Sequence, residues 1–503
     1  MTAVTSIDPR TGRVVGTVAE KTTAAEVDEL CRRAEAAAPR LERLGRPFRA
    51  GLLRALADAL EADRETIVSL ADRETGLGTT RLNGELNRTC YQLRLFAEAV
   101  EEGGYLEAIV DHAADSPMGP LPDLRRMLVP IGPVGVFAAS NFPLAFSVPG
   151  GDTASALAAG CPVLIKAHSS HPATAQHCFD VMLAAATRAG APEGTLALLH
   201  GRDAGIVLVE HPAVKAVGFT GGLHGGRALA DLAASRPEPI PFYGELSSLN
   251  PVVVTPAAAA ERAEAIGKGL AGSATLGAGQ FCTKPGLVFV PVGPDGDRVR
   301  DAVAKAFGEL SAQVALNGTI QASYREGTTR LAEHPGLAVL AAAGDDTGDG
   351  FLVRPMVFTT DTRRIDDVTT SECFGPTTIL VSYSDDADLL AALRGLPGSL
   401  TATVHIANDT TDDVEAVLEV ARHKAGRILF NGFPTGVAVA WAQQHGGPWP
   451  ATNTLHTSVG LTSVRRFLRP VAWQDAPQSV LPAELRDDPG GAAVPRRVDG
   501  NLA

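Results

Sequence analysis

The feature that most constrains the fold is a regular alternation of short apolar strands with helices between residues 135 and 246. Apolar, β-prone segments such as 162–166 alternate with Ala-rich helical segments such as 173–189. This alternation predicts parallel βαβ units that build an open sheet covered by helices. Such sheets bind ligands beyond the carboxyl ends of their strands. The candidate ligand loops at those ends are residues 140–146, 166–171, 201–205 and 220–226.

The segments on either side extend this α/β pattern. Residues 5–20 are predicted to form a hairpin, and apolar residues at three- and four-residue spacing then predict amphipathic helices at 24–38, 48–62, 65–75 and 82–101. A second α/β region from about residue 247 has predicted helices at 257–276, 298–312, 386–394 and 411–423 and strands at 286–292, 355–360, 377–383, 401–407 and 427–430. Four prolines in residues 113–131 favour an extended arm, and the polar residues 487–503 are predicted to be mobile.

Composition excludes several classes of protein. The 503 residues carry a formal net charge of −13, which argues against nucleic acid or an anionic membrane as a general partner. The first residues lack a basic segment followed by an apolar run, and no run of about eighteen apolar residues occurs, so neither a signal peptide nor a transmembrane helix is predicted. The six cysteines are widely spaced without a zinc-type pattern, which favours a reduced, cytoplasmic protein that holds no metal.

One of these cysteines lies in a short loop between a predicted helix and a predicted strand. The loop reads GAGQFCTKP at residues 277–285, so Cys282 stands among small and flexible residues. A cysteine there can meet a substrate and accept hydrogen bonds from backbone N–H groups, which makes Cys282 a candidate catalytic nucleophile. The alternative is a small buried thiol, because free Cys is among the most buried residue types.

Other polar side chains stand at the carboxyl ends of predicted strands. Glu245 ends an apolar strand, where partial desolvation is expected to raise its pKa and make it a usable base. Asn141 can donate hydrogen bonds to a developing oxyanion, and the Lys166 ammonium can bind a ribose or a phosphate. The alternatives are an ion-paired glutamate, a turn-forming asparagine and an exposed lysine. His168 and His171 have no further ligands near them in the sequence, so no metal site is predicted there.

Seven segments in a fixed order make the chain similar to the aldehyde dehydrogenase superfamily over roughly residues 5–470. They are PIGPVGVFAASNFPLAF with Asn141, PVLIKAH with Lys166, VGFTGG at 217–222, YGEL with Glu245, GQFCTKPG with Cys282, ECFGP with Glu372 and NGFPTGV at 431–437. The resemblance implies an α/β fold with a Rossmann-type parallel-sheet cofactor domain, an α/β catalytic domain and a β oligomerisation arm. The implied boundaries are 1–112 and 132–246 for the cofactor domain, 247–446 for the catalytic domain, and 113–131 with 447–503 for the arm and C-terminal tail.

The resemblance also implies a role for each matching residue. Cys282 is implied as the nucleophile that attacks an aldehyde, Glu245 as the base that activates water, and Asn141 with the backbone N–H of Cys282 as the oxyanion hole. The product would be a carboxylate, formed through a cysteine thiohemiacetal and a thioester while NAD(P) takes up a hydride. The implied cofactor residues are Lys166, Thr220, Gly221, Gly222, Glu372 and Phe374. Without the resemblance, the alternative for Glu372 is a solvated acid in the turn before a strand.

Departures from the family pattern bear on the cofactor. Gly222 stands where the family often has Ser or Thr, which leaves a pyrophosphate to backbone N–H groups at a helix N-terminus. Ser169 stands where many relatives place a glutamate that would repel a 2′-phosphate, and Arg202 is near enough in sequence to reach that phosphate. The sequence therefore favours NADP, with NAD as the other possibility.

The substrate is narrowed by three stretches, ELSSLNPV, GQFCTKPG and HGGPWPAT, that are similar to the branch oxidising 2,5-dioxopentanoate to 2-oxoglutarate. An NADP-dependent medium- or long-chain fatty aldehyde dehydrogenase is the alternative within the family. A CoA-acylating enzyme is disfavoured by the presence of Glu245. A catalytically silent structural or binding protein is the alternative of another class. The resemblance further implies a homodimer or homotetramer.

Overall fold

The computed structural model describes residues 3–408 and 413–502. It begins with an antiparallel hairpin of β1 (Ala3–Asp8) and β2 (Arg13–Glu20), which confirms the predicted hairpin. The amphipathic segments follow as α1 (Ala24–Arg43), α2 (Gly45–Ala62), α3 (Arg64–Thr75) and α4 (Thr79–Glu102). A capping box fixes the start of α1, because the Thr23 hydroxyl accepts from the Glu26 backbone N–H and the Glu26 carboxylate accepts from Thr23 in return.

The proline-rich segment is extended, as predicted. After β3 (Ala108–Asp111) it forms a small hairpin of β4 (Ala114–Ser116) and β5 (Gly119–Leu121), followed by β6 (Leu124–Pro130). The exposed fraction is 95% for Met118 in the hairpin turn and 50% for Leu121. The hairpin thus projects apolar side chains away from the body of this chain.

The alternating segment forms the predicted parallel sheet. In chain order it contains β7 (Val134–Phe137), α5 (Gly151–Ala159), β8 (Val163–Lys166), α6 (Pro172–Arg188), β9 (Leu196–Leu199), α7 (Arg202–Glu210), β10 (Ala216–Thr220), α8 (Leu223–Ser235) and β11 (Phe242–Glu245). The strands lie in the order β11-β10-β7-β8-β9, and every neighbouring pair is parallel. The chain order reverses between β7 and β10, so a crevice opens beyond their carboxyl ends.

A second, seven-stranded sheet carries the Cys282 loop. Its segment contains β12 (Val252–Val254), α9 (Pro256–Thr275), β13 (Leu287–Pro291), α10 (Pro294–Gly308), β14 (Gln313–Val314), α11 (Gly318–Glu333), β15 (Ala338–Ala342), β16 (Leu352–Val353), β17 (Met356–Asp361), β18 (Thr377–Tyr383), α12 (Asp386–Gly395), β19 (Ser399–His405), α13 (Glu415–Lys424) and β20 (Ala425–Phe430). The order is β15-β17-β18-β13-β12-β19-β20, with only the β15–β17 pair antiparallel. The sequence did not predict α11, and residues 411 and 412 of the helix predicted at 411–423 lie outside the described residues.

A third sheet corrects the prediction of a mobile C-terminal tail. It joins β21 (Leu468–Gln474), β6, β3, β22 (Arg496–Val498) and β23 (Asn501–Leu502) in that order. Strand β22 runs parallel to β3, and Val494 is buried in the largest apolar cluster of the protein. The tail is ordered because a distant strand supplies backbone partners that its own polar sequence does not reveal.

Apolar side chains hold both parallel sheets between layers of helices. Leu53 of α2, Leu93 of α4, Val134 of β7 and Ile165 of β8 are fully buried in one cluster. Neighbouring residues of β12 and β13 alternate between two clusters on opposite faces of the second sheet, as side chains of a strand do. Among the helices of the described residues, none is long and apolar enough to cross a membrane.

Candidate active site

The loop that carries Cys282 begins with three residues in the left-handed region. Gly277, Ala278 and Gly279 have φ values of +56°, +57° and +64°. A side chain at Gly279 would also place its Cβ 2.2 Å from the carbonyl oxygen of Gly375, so only glycine fits there. Ala278 adopts the same backbone conformation with a Cβ, which is a strained arrangement of the kind that clusters at functional sites.

Asn250 fastens this loop to the second sheet. Its side-chain Nδ2 donates to the carbonyl oxygens of Cys282 (2.8 Å) and Lys284 (2.9 Å). Lys284 in turn donates from Nζ to the carbonyl oxygen of Thr377 at 2.7 Å. Asn250 is itself buried with a φ of +51°. These hydrogen bonds fix the position of the Cys282 backbone relative to the neighbouring strands.

Cys282, His445 and Glu245 form a row in which the histidine and the glutamate are buried and the cysteine is partly exposed. The Cys282 Sγ lies 3.6 Å from His445 Nε2, and the same nitrogen lies 3.0 Å from Glu245 Oε2. The Ser458 hydroxyl donates to Glu245 Oε2 at 2.9 Å. The side chains of His445 and Glu245 are almost completely excluded from solvent. The histidine is thus placed to exchange a proton with either of its two neighbours.

The pKa of Glu245 departs from the expectation. Burial raises it, but the charge of His445 and hydrogen bonds from His445, Cys282 and Ser458 outweigh burial, so the pKa of the carboxyl lies below its ordinary value. The prediction of a raised pKa was wrong because it counted desolvation without the histidine. Burial, followed by the Glu245 charge, raises the pKa of the Cys282 thiol well above its ordinary value. Deprotonation of the thiol therefore needs a local proton acceptor.

Asn141 lies at the predicted place beside the cysteine loop. Its Nδ2 donates to the carbonyl oxygen of Gln280 at 2.9 Å, and the side chain lines the same cavity as Cys282. The Gln280 side chain accepts from the Leu316 backbone N–H at 3.0 Å and donates to the Gly277 carbonyl at 3.0 Å. The amide of Asn141 is thereby oriented toward the loop that presents the sulfur.

The cavity beside Cys282 has a volume of about 370 Å³. It is lined by eight residues that the sequence predicted, namely Cys282, Glu245, Asn141, Thr220, Gly221, Gly222, Glu372 and Phe374. Glu372 is partly buried, and burial raises the pKa of its carboxyl to about 7, against a hydrogen bond from Ser247 and the Lys284 charge. The two sheets meet here, since Thr220 and Glu245 end β10 and β11 while Cys282 precedes β13.

Two further cavities continue from the first. One, of about 850 Å³, is lined by Lys166, Ser169 and Arg202, and it shares Ser140, Thr319 and Ile320 with the first cavity. The other, of about 410 Å³, joins Lys166 and Arg202 to Thr220, Gly221 and Gly222. Burial and the nearby Arg202 charge lower the pKa of Lys166. Linked cavities that contain a cationic end and the N-terminus of α8 fit an elongated ligand with phosphate groups.

Two side chains of the site were missed by sequence reasoning. The sequence pattern marks His445 only as part of the stretch HGGPWPAT, and it does not mark Ser458 at all. The contact between Cys282 and His445 spans 163 residues, and no local pattern marks it. Within the described part of the chain, one group of metal-ligand side chains has its donor atoms within 4.8 Å of one another, and it is this same row of Glu245, Cys282 and His445. His168 and His171 are not part of it, and His171 Nε2 instead faces the Ala139 carbonyl at 2.9 Å.

Comparisons with known proteins agree with this architecture. The aldehyde dehydrogenase family model matches residues 1–448. Alpha-ketoglutaric semialdehyde dehydrogenase 2 of Azospirillum brasilense is 47% identical over 463 residues, which cover 90% of this chain and 87% of the relative. Alpha-ketoglutaric semialdehyde dehydrogenase of Acinetobacter baylyi is 40% identical over 490 residues, which cover 96% of this chain and 93% of the relative.

A solved structure shares the fold. The NAD⁺ complex of aldehyde dehydrogenase from Bacillus cereus superposes with a TM-score of 0.79 at 20% identity, covering 94% of this chain and 93% of the other. At this identity the likeness shows the fold alone, and the family model and the two relatives carry the assignment. This chain belongs to the aldehyde dehydrogenase family, and it is an oxidoreductase.

Proposed function

We propose that the protein oxidises 2,5-dioxopentanoate to 2-oxoglutarate with NADP as the preferred nucleotide. The observation that carries the chemistry is the row of Cys282, His445 and Glu245 at the end of the linked cavities. It provides a nucleophile, a proton acceptor in contact with it and a carboxylate for a later proton transfer. The substrate assignment is supported by the names of the two relatives from Azospirillum and Acinetobacter.

In the proposed reaction a neutral His445 accepts the Cys282 thiol proton at Nε2, the resulting imidazolium donates to the Glu245 carboxylate, and the sulfur attacks the aldehyde carbon. The backbone N–H of Cys282 and the Asn141 amide stabilise the resulting alkoxide, an interaction worth about 3 to 4 kcal/mol per donor in other enzymes. The nicotinamide nucleotide, when bound, supplies the hydride acceptor. Glu245 then takes a proton from the water that hydrolyses the thioester at Cys282, and the lowered pKa of Glu245 keeps it ionised for this step at neutral pH.

The preference for NADP is supported by the charges around the 850 Å³ cavity. Lys21, Lys166 and Arg202 line it, and none of its lining residues in the described part of the chain is acidic. Burial lowers the pKa of both His168 and His200, so these two side chains are neutral near pH 7. Burial and then the Arg202 charge lower the pKa of Lys166, and a 2′-phosphate there would pair with both cations.

A second candidate is oxidation of fatty aldehydes. Phe142 packs edge-to-face against both Phe146 and Phe281, with ring centroids 5.1 Å and 5.2 Å apart. Phe281 directly precedes Cys282, so apolar surface adjoins the nucleophile and favours an alkyl chain as well. A panel of aldehydes assayed with both nucleotides separates the two candidates.

The panel contains 2,5-dioxopentanoate, uncharged pentanal and a long-chain alkanal. We expect the highest kcat/KM with 2,5-dioxopentanoate and NADP. A higher kcat/KM with the long alkanal would replace the substrate assignment with the second candidate. A preference for NAD above about tenfold, roughly 1.4 kcal/mol, would contradict the nucleotide assignment. Arg202→Ala is expected to lower kcat/KM with NADP while leaving kcat/KM with NAD nearly unchanged.

We also propose that the third sheet and the β4–β5 hairpin mediate a homo-oligomer, with residues 1–112 and 132–246 as the cofactor domain and 247–446 as the catalytic domain. The exposed Met118 and Leu121 support this, because projecting apolar side chains of this kind commonly pack against a partner. The cytoplasmic location stays a prediction. Light scattering on the wild type and on Met118→Asp tests the assembly, and an unchanged mass would place the interface elsewhere.

A further inference from the structure

Helix α4 holds a buried guanidinium whose terminal nitrogens have no hydrogen-bond partner among the described residues. Nη1 and Nη2 of Arg88 are both excluded from solvent, and neither is hydrogen-bonded to any residue of 3–408 or 413–502. The one hydrogen bond of this side chain is a long one, from Nε to the Val437 carbonyl at 3.4 Å. Leaving a buried charged group without a partner costs several kcal/mol, so such a group calls for a ligand.

Other buried arginines of the chain show the usual arrangement. Arg466 pairs with Asp152 at 2.7 Å, and Arg46 pairs with Glu484 at 3.0 Å. Arg427, which also lies near the active site, donates from both terminal nitrogens to the carbonyls of Pro434 and Gly436. Arg88 is different because, within residues 3–408 and 413–502, neither terminal nitrogen of its guanidinium forms a hydrogen bond.

Glu85, one turn earlier on α4, acts on Arg88 through its charge alone. Its Oε1 accepts from the backbone N–H groups of Leu144 (2.8 Å) and Ala145 (2.9 Å), and it forms no ion pair with Arg88 among the described residues. Burial raises the pKa of the Glu85 carboxyl, with the charge of Arg81 opposing this effect. The Glu85 side chain therefore serves the backbone of the segment that follows Asn141.

Arg88 is adjacent to the nucleophile through two rings. Its Cζ lies 5.0 Å from the centroid of the Phe146 ring, and that ring lies 6.4 Å from the ring of His445. His445 contacts the Cys282 sulfur. Burial lowers the pKa of the Arg88 guanidinium, whereas the charges of Glu85 and of a Cys282 thiolate raise it. A negative charge at Cys282 is therefore close enough to interact with Arg88.

We propose that Arg88 binds the carboxylate of the substrate through both terminal nitrogens while the aldehyde carbon stands at Cys282. This inference rests on the proposed function, because it requires an aldehyde with an acidic far end. A guanidinium fork matches a carboxylate in two parallel hydrogen bonds, and in a water-excluded site such a pair is strong and selective. The Phe146 ring lies between the guanidinium and the His445 ring, so in this arrangement it would lie beside the carbon chain. Arg88 is thus the residue that selects an aldehyde acid over an alkanal.

The test compares Arg88→Met with the wild type on two five-carbon aldehydes. One is 2,5-dioxopentanoate, and the other is pentanal, which has no charge. We expect the KM for 2,5-dioxopentanoate to rise about 100-fold in Arg88→Met, because truncating one partner of a buried charge pair typically has an effect of that size. The kcat/KM for pentanal is expected to stay the same or rise. Arg94→Met is the matched control, since Arg94 lies on α4, is exposed and pairs with Asp58.

Binding of 2-oxoglutarate, measured by calorimetry, gives a second readout that does not depend on turnover. We expect it to weaken by a similar factor in Arg88→Met. If Arg88→Met does not fold, Arg88→Gln keeps donors but removes the charge, and we expect at least a tenfold rise in KM. A wild type that prefers pentanal overturns both the proposed function and this inference. A wild type that prefers 2,5-dioxopentanoate, with variants that keep that preference, overturns the role of Arg88 alone.

Discussion

His445→Gln tests whether the histidine takes the proton of Cys282. The Gln amide can occupy the position of Nε2 and still donate to Glu245, but it carries no charge and cannot accept the thiol proton. The pKa of the Cys282 thiol is already well above its ordinary value through burial and the Glu245 charge. A hydrogen bond to a charged group contributes about 1.5 to 3 kcal/mol, which corresponds to about one to two pKa units. We therefore expect the thiolate fraction at neutral pH to fall about 10- to 100-fold.

The assay is the rate of alkylation by iodoacetamide as a function of pH, without nucleotide or aldehyde. The other cysteines react little, because Cys31, Cys90, Cys161 and Cys178 are buried and burial raises the pKa of Cys373 to about 11. Cys282→Ala supplies the background rate. We expect the alkylation profile of His445→Gln to shift to higher pH, with kcat/KM for aldehyde falling in parallel. An unchanged alkylation profile in a folded His445→Gln protein would show that the histidine does not accept this proton.

Three further perturbations test other parts of the structure. Glu245→Gln should release about one equivalent of reduced nucleotide in a rapid phase and then turn over about 10²- to 10⁴-fold more slowly than the wild type, because the base for thioester hydrolysis is lost. Steady turnover of this variant at the wild-type rate would contradict the role of Glu245. The pKa of Glu372 is raised from 4.5 to about 7. The protonated Glu372 carboxyl therefore stabilises the folded protein fully below pH 4.5, and this stabilisation is lost as pH rises through 7. Binding has the opposite dependence, because the ionised carboxylate accepts ribose hydrogen bonds better. Nucleotide Kd should thus fall between pH 6 and 8, on either side of the raised Glu372 pKa of about 7, and Glu372→Gln should show no such dependence. Deleting residues 487–503 removes the β22–β3 pairing and the buried Val494. The free energy of unfolding should therefore drop by at least about 1.5 to 3 kcal/mol. An unchanged denaturation midpoint would show that the tail contributes nothing to stability.

Much of the fold follows from local sequence pattern. The alternation that began at residue 135 gives β7, β8, β9, β10 and β11 with their helices, because strand and helix periodicities depend on neighbouring residues only. The ends of parallel strands share one edge of a sheet, so Lys166, Thr220 and Glu245 are brought to the same crevice once the pattern is known. The Cys282 loop was found in the same way, from small residues between a helix and a strand.

Other features depend on contacts that no local pattern encodes. The ordering of residues 487–502 requires β3, which lies far away in the sequence. The pKa of Glu245 has the opposite direction to the one expected from burial, because the fold places His445 against its carboxylate.

The sequence by itself determined the family of folds, the candidate nucleophile Cys282 and the strand ends around it. The tertiary structure alone decided which side chains stand against Cys282 and which charges lack a partner. His445 reaches the sulfur across 163 residues, and Arg88 is distinctive only because the packed structure buries its terminal nitrogens without a partner among the described residues. The physical reason is that burial and electrostatic interaction are properties of distance in space, and distance in space is fixed only when the whole chain has packed.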